Sequence, residues 1–187
     1  MMDAGAALRA YVDLLLRWNA RINLTAARTA DAVALHIDDS RAAAAHVPAG
    51  ARRLVDVGSG AGFPGLVIAV VRPDVAVTLL EPVHKKRAFL AAAIRELGLA
   101  NARAVAQRLE DHPDRDYDVA VSRATWAANE WIRRARPYVR PGGVVLAMEG
   151  RERIALPAGA RRHPYRVGER DRAILVVPVG PGGSAGD

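Results

Sequence analysis

The stretch of this chain best suited to chemistry is Asp56-Val57-Gly58-Ser59-Gly60-Ala61-Gly62-Phe63-Pro64-Gly65. It follows a short apolar run and precedes a helix-like segment, the setting in which glycines let backbone approach a ligand closely. Gly60 to Gly65 also fits the G-x-G-x-x-G spacing, so a nicotinamide dinucleotide has to be weighed. Glu81, at the end of the next apolar run, is placed to hold ribose hydroxyls for either kind of cofactor. Asp56 separates the two. A carboxylate at the end of the first strand repels a pyrophosphate docked on the following helix, whereas it suits a cofactor carrying an ammonium and a sulfonium. The expected cofactor is therefore S-adenosylmethionine, with Asp56, Gly60 and Glu81 in its site. A glycine turn without a ligand explains the loop but not its pairing with Glu81.

Two further segments fall where strands end. Gln107-Arg108-Leu109-Glu110 follows a third strand, where the carboxyl edge of a sheet presents it to the adenine end of such a cofactor; the Leu109 backbone and the Glu110 side chain are the groups that can read a base edge. Taken alone, Glu110 reads as a helix cap or a surface acid. Ser122-Arg123-Ala124 follows a fourth strand, nearest the point where donor and acceptor must meet. Arg123 is accordingly expected to position the reactants, with an ordinary ion pair as its plainer reading.

The elements needed to hold these segments can be read from periodicity. Residues 3–18 carry Leu8, Tyr11, Val12, Leu15 and Trp18 at helical spacing, and a second helical stretch runs from about 29 to 45 before Pro48-Ala49-Gly50. Strands are expected at 53–57, 75–80, 103–106, 117–121 and 143–148, and helices at 64–71, 84–97 and 126–136. Alternating strands and helices imply an α/β, Rossmann-like fold: a mainly parallel sheet with helices on both faces. Residues 162–167 and 173–179 flank a charged turn and add an antiparallel hairpin. The expected organisation is one methyltransferase domain over 1–180, with 1–48 a helical extension packed on it and 181–187 a disordered tail.

Composition narrows the partners. The 187 residues are 51% hydrophobic, enough for one core, and contain no cysteine, which excludes disulfides, thiolate metal sites and a cysteine nucleophile. No metal site is expected. No run reaches the roughly 18 to 20 apolar residues of a membrane span, and the N-terminus lacks a basic signal-peptide start, so a cytoplasmic, monomeric protein without membrane contact is expected. The 27 basic and 20 acidic residues leave +7, which favours a polyanionic partner. Residues 1–50 carry five of each sign, so the excess lies later, notably at Arg133, Arg134, Arg136, Arg140, Arg151, Arg153, Arg161 and Arg162.

The acceptor can be approached by elimination. The fourth-strand segment has no Asn/Asp-Pro-Pro-aromatic motif to grip an exocyclic amine, the missing cysteine removes covalent pyrimidine chemistry, and adjacent Lys85 and Lys86 cannot form the separated lysine pair of a ribose methyltransferase. What remains is an acceptor that needs little help. Guanine N7 is one, because its lone pair lies free in the ring plane and no base is required.

The chain resembles the ribosomal RNA small subunit methyltransferase G family, also called glucose-inhibited division protein B. The resemblance is carried by Arg17-Trp18-Asn19 with Ile22-Asn23-Leu24-Thr25, His36 with Asp39-Ser40, the loop from Asp56 to Gly65, Lys85-Lys86 with Phe89-Leu90, Arg108 to Glu110, Ser122 to Ala124, and Met148-Glu149-Gly150. It implies N7 methylation of a guanine in 16S ribosomal RNA, with ribosomal RNA or the small subunit as partner. It also implies cofactor contacts at Gly58, Phe63, Leu109, Glu110 and Arg123. Asn19, Asn23 and Thr25 read either as RNA contacts or as turn and cap residues, and His36 as a buried, hydrogen-bonded histidine. Glu149 stands where the family usually has lysine, which implies a reversed charge on the RNA side. Two alternatives stay open: methylation of another RNA or a small molecule, and a ribosome assembly factor that holds the cofactor without turnover. On either, calorimetric titration should show binding of S-adenosylmethionine and its demethylated product; saturable NAD binding with no response to the methyl donor overturns the cofactor assignment.

Overall fold

The computed structural model describes residues 3–123, 125–150 and 153–180; the expected tail at 181–187 lies outside them. Five strands, β1 (Arg53–Val57), β2 (Ala76–Leu80), β3 (Ala102–Val105), β4 (Tyr117–Ser122) and β5 (Val139–Glu149), run parallel. β6 (Arg161–Val167) and β7 (Arg170–Pro178) form the hairpin, and β7 joins β5 antiparallel. The sheet order is β3-β2-β1-β4-β5-β7-β6. Between β1 and β4 the chain reverses its direction of growth across the sheet, which opens a crevice above the carboxyl ends of those strands.

Strand alternation divides the interior in two. Leu54, Val77, Leu79, Val119 and Val121 face a core shared with α1 (Ala4–Asn19), α2 (Ala30–Ala44), α3 (Gly65–Val71) and α4 (His84–Glu96). Val55, Val57, Leu80, Ala120 and Val145 face the other, covered by α5 (Ala128–Ala135) through Trp131, Ile132 and Ala135. Burial on both faces explains why the parallel strands read as continuous apolar runs.

Two boundaries differ from expectation. The fifth helix starts at Ala128 and not at Trp126, because Ala127 holds extended backbone (φ −58°, ψ 146°), and a 3-10 turn at Arg136–Tyr138 ends it. β5 begins four residues before the expected Gly143, with a register shift against β4 between Tyr117 and Val119. Among the described residues no helix is long and apolar enough to cross a membrane.

The N-terminal motif resolves in favour of architecture at Asn19. Its buried side chain accepts from the N–H groups of Leu24 (2.9 Å) and Thr25 (3.1 Å) and donates to the carbonyls of Thr25 (3.0 Å) and Ala27 (2.8 Å), closing the turn between α1 and α2. The cap of α2 is Thr29, whose hydroxyl accepts from Ala32, and Thr25 instead accepts from Ala27. Asn23 accepts from Arg28 at 3.1 Å on the surface. Replacing Asn19 by Ala strands several buried backbone groups, and should cost about 2–4 kcal/mol of stability in urea unfolding.

Candidate active site

The glycine loop is fastened from three sides. Gly58 and Ser59 donate their backbone N–H groups to the Leu80 carbonyl at 2.9 and 3.1 Å, and the Ser59 hydroxyl donates to the Asp56 carbonyl. Gly58 has φ +72°, and a Cβ there would fall 2.5 Å from the Thr125 hydroxyl, so both its backbone and its space require glycine. The Tyr11 hydroxyl, from α1, donates to the Ala61 carbonyl. Phe63 is buried against Tyr11 and His36, with ring centroids 5.5 and 5.2 Å apart.

Asp56 holds the loop from beneath. It is fully buried on the α3 side of β1, where one oxygen accepts from Gly65 N–H at 2.9 Å. Pro64, at the helix cap position, has no side-chain acceptor to offer, and the carboxylate supplies one. A Cβ at Gly65 would lie 2.5 Å from that oxygen. The other oxygen, Oδ1, has no partner among the described residues. Burial pushes the Asp56 carboxyl up to about 7, against the hydrogen bond from Gly65.

A cavity of about 580 Å³ opens above the carboxyl ends of β1, β2 and β4, and Gly58, Glu81, Leu109, Glu110 and Arg123 line it. Asp56, Gly60 and Phe63 are not among its lining residues; Gly60 reaches it through Glu81, while Asp56 and Phe63 are buried. Glu81 is buried, with Oε2 accepting from Gly60 N–H and Oε1 from Val83 N–H, both at 2.9 Å; each oxygen keeps lone pairs for a further donor. The Leu109 carbonyl accepts from the Tyr138 hydroxyl at 2.6 Å and from His112 N–H at 3.1 Å, which fixes the backbone at this position.

Glu110 is exposed and paired with Arg134 at 2.7 Å. The Ser122 hydroxyl ties β4 to β1 by donating to the Val57 carbonyl at 2.8 Å. Arg123 lines the cavity while its Nη1 donates to Asp39 Oδ2 and to His36 Nδ1, each at 3.1 Å, and its guanidinium lies 5.0 Å from the Phe63 ring centre. Asp39 is itself buried and also accepts from the Tyr165 hydroxyl at 2.6 Å. Burial first, then the Arg123 cation, lower the pKa of half-buried His36, and because a guanidinium can only donate, Nδ1 is the acceptor in this bond.

Other residues at the cavity went unnoticed in the sequence. Trp126, read as helix, and Arg134, counted among the late arginines that carry the excess charge, both line it; an aromatic two residues beyond Ala124 was the available signal. The expected charge reversal at Glu149 is corrected: the side chain is buried and bound by Arg162 at 2.8 and 3.0 Å and by Ile154 N–H, so it presents no free charge.

A cavity of this size fits a nucleoside joined to an amino acid, and the acids Glu81 and Glu110 lie on its wall. Fold and site define a class I, S-adenosylmethionine-dependent methyltransferase. A family profile described as rRNA small subunit methyltransferase G matches residues 5–160, and the chain belongs to that family. It is 46% identical over 162 residues to the Ribosomal RNA small subunit methyltransferase G of Anaeromyxobacter dehalogenans, covering 83% of this chain and 74% of that one. The same-named protein of Methylobacillus flagellatus is 43% identical over 145 residues, covering 76% and 70%. Among solved structures, a SAM-dependent O-methyltransferase from Thermotoga maritima superposes with a TM-score of 0.56 at 18% identity, covering 79% of this chain and 67% of that one, a likeness of fold.

The raised Asp56 pKa makes stability depend on pH. Its folded value lies above the ordinary 3.8, so the protonated form is the one folding favours; its contribution is full below about 3.8 and is lost as pH rises to about 7. Asp56→Asn, which keeps an acceptor for Gly65, should gain on the wild type across that window in urea unfolding followed against pH. Parallel curves for the two proteins refute it.

Proposed function

We propose that this protein transfers a methyl group from S-adenosylmethionine to N7 of a guanine in 16S ribosomal RNA. The observation that carries the proposal is the cavity at the β1/β4 crevice, bounded by Glu81, Glu110 and Arg123, in a chain of this family. When bound, the cofactor supplies a methyl group made electrophilic by its sulfonium. Glu81 accepts hydrogen bonds from ribose hydroxyls, and Glu110 with the Leu109 N–H meets the adenine edge. Arg123, one nitrogen held by Asp39 and His36, is the group that orients a cofactor carboxylate or an RNA phosphate next to the acceptor. N7 attacks with its own lone pair, so alignment and electrostatics provide the catalysis and no side chain has to remove a proton.

The remaining arginines fit a ribosomal RNA partner. Arg134, Arg140 and Arg162 are engaged with Glu110 and Glu130, Asp118, and Glu149, which leaves Arg133, Arg136, Arg153 and Arg161 as the candidates for phosphate from that late cluster; Arg151 lies outside the described residues. Residues 1–180 act as one methyltransferase unit, with the 1–48 helices carried on it, as a cytoplasmic monomer.

The test incubates the protein with labelled S-adenosylmethionine and naked ribosomal RNA, assembled small subunits, or total small metabolites. Label should enter RNA, at a base that is cleaved after mild reduction and aniline treatment, as N7-methylguanosine is. Label only in metabolites, or in RNA that resists cleavage, overturns the acceptor. No label in any of the three favours the assembly-factor reading. Arg123→Lys should lose roughly ten-fold or more in turnover with the fold intact, because one ammonium cannot bond Asp39 and a ligand in the planar geometry of a guanidinium. Full activity in that variant removes Arg123 from the mechanism.

A further inference from the structure

At the Glu110 end of the cavity, a line of side chains runs from the core to the surface, and methyl transfer itself makes no use of it. Trp131 on α5 is buried and donates its indole N–H to the Leu146 carbonyl at 2.9 Å. The Trp126 ring lies nearly parallel to it, with 5.8 Å between centroids and 6° between planes. The Arg134 guanidinium sits 5.4 Å from the Trp126 ring centre. From there it spans two carboxylates: Nε and Nη2 reach Glu130 Oε1 at 2.8 Å, and Nη1 reaches Glu110 Oε1 at 2.7 Å. Glu110, Trp126 and Arg134 all line the cavity.

We propose that Arg134 is a positioning residue for cofactor recognition: braced on the Trp126–Trp131 stack and on Glu130, it fixes Glu110 so that the second carboxylate oxygen meets the exocyclic amino group of adenine. The proposal rests on the assignment of Glu110 to adenine made above. Glu110 is more than half exposed, at 54% of its side-chain surface, so its ion pair adds little to stability. What the pair does is restrict a flexible side chain. A free glutamate loses rotamer entropy when it engages a ligand, and one already held has lost it before binding. Because an ionised carboxylate has about four acceptor positions and Arg134 takes only Oε1, the pairing leaves Oε2 for the neutral amine. A planar guanidinium holds both acids at once, which the single ammonium of lysine does not reproduce.

The experiment compares S-adenosylhomocysteine with its 6-deamino purine analogue, in which a hydrogen replaces the amino group and N1 keeps its lone pair, by calorimetry on the wild type and on Glu110→Ala, Arg134→Gln and Arg134→Lys, with thermal unfolding alongside. The wild type should prefer the adenine ligand by roughly ten-fold or more, and Glu110→Ala should lose that preference. Arg134→Gln should shrink it to about three-fold or less with the unfolding midpoint nearly unchanged, and Arg134→Lys should not restore it. Full discrimination in Arg134→Gln, tighter adenine binding there, or an equal loss for both ligands overturns the positioning role while leaving Glu110 on adenine. A wild type that does not discriminate overturns the Glu110 assignment, and the proposal with it.

Discussion

The carboxyl edge of this sheet depends on one hydrogen bond, from the Gly65 N–H to the Asp56 carboxylate. It is a buried bond, 2.9 Å long, with no countercharge bonded to either end. Burying a carboxylate is costly, and the return here is geometric. The bond fixes where α3 begins, and so where the glycine loop must turn. With the loop in place, Gly58 and Ser59 reach the end of β2 and Gly60 reaches Glu81. Glu81 is thus oriented by the backbone it holds, and loop and cavity share a single set of restraints.

How much of this was legible in the sequence differs from residue to residue. The β-α-β unit and its loop were, because strands buried on both faces leave apolar runs and the glycines punctuate them. The alternation of Val55 and Val57 was enough to set Asp56 on the opposite face of β1. It does not say that α3 covers that face, so Asp56 read as a ligand contact when it lies behind the loop. Asn19 showed a polar residue at a turn; that all of its bonds go to backbone of the turn itself emerges only from the folded chain. Glu149 read as an exposed charge because its partner, Arg162, lies on a different strand.

Trp126 and Arg134 escaped for a related reason. Their significance lies in a stack and a bridge between β3–β4, β4–β5 and α5 segments, and a linear pattern records neither. The same holds for the arginines generally. A surplus of positive charge is readable from composition, but which arginines are consumed by Asp39, Asp118 or Glu149 depends on tertiary pairing. Pairing leaves the net charge of +7 unchanged and decides only which guanidiniums are occupied.

Asp39 accepts from Arg123, 84 positions along the chain, and from Tyr165, 126 positions along it. Contacts of such separation are late events in folding, because the entropy of closing so long a loop is lost before the contact offers anything in return. During synthesis, a chain that has made its sheet as far as β4 has its glycine loop but not Tyr165. The Asp39 anchor for Arg123 is therefore complete only once β6 has docked beside α2. Arg123, on the cavity wall, is thus held in full only when α2, the end of β4 and β6 have packed together.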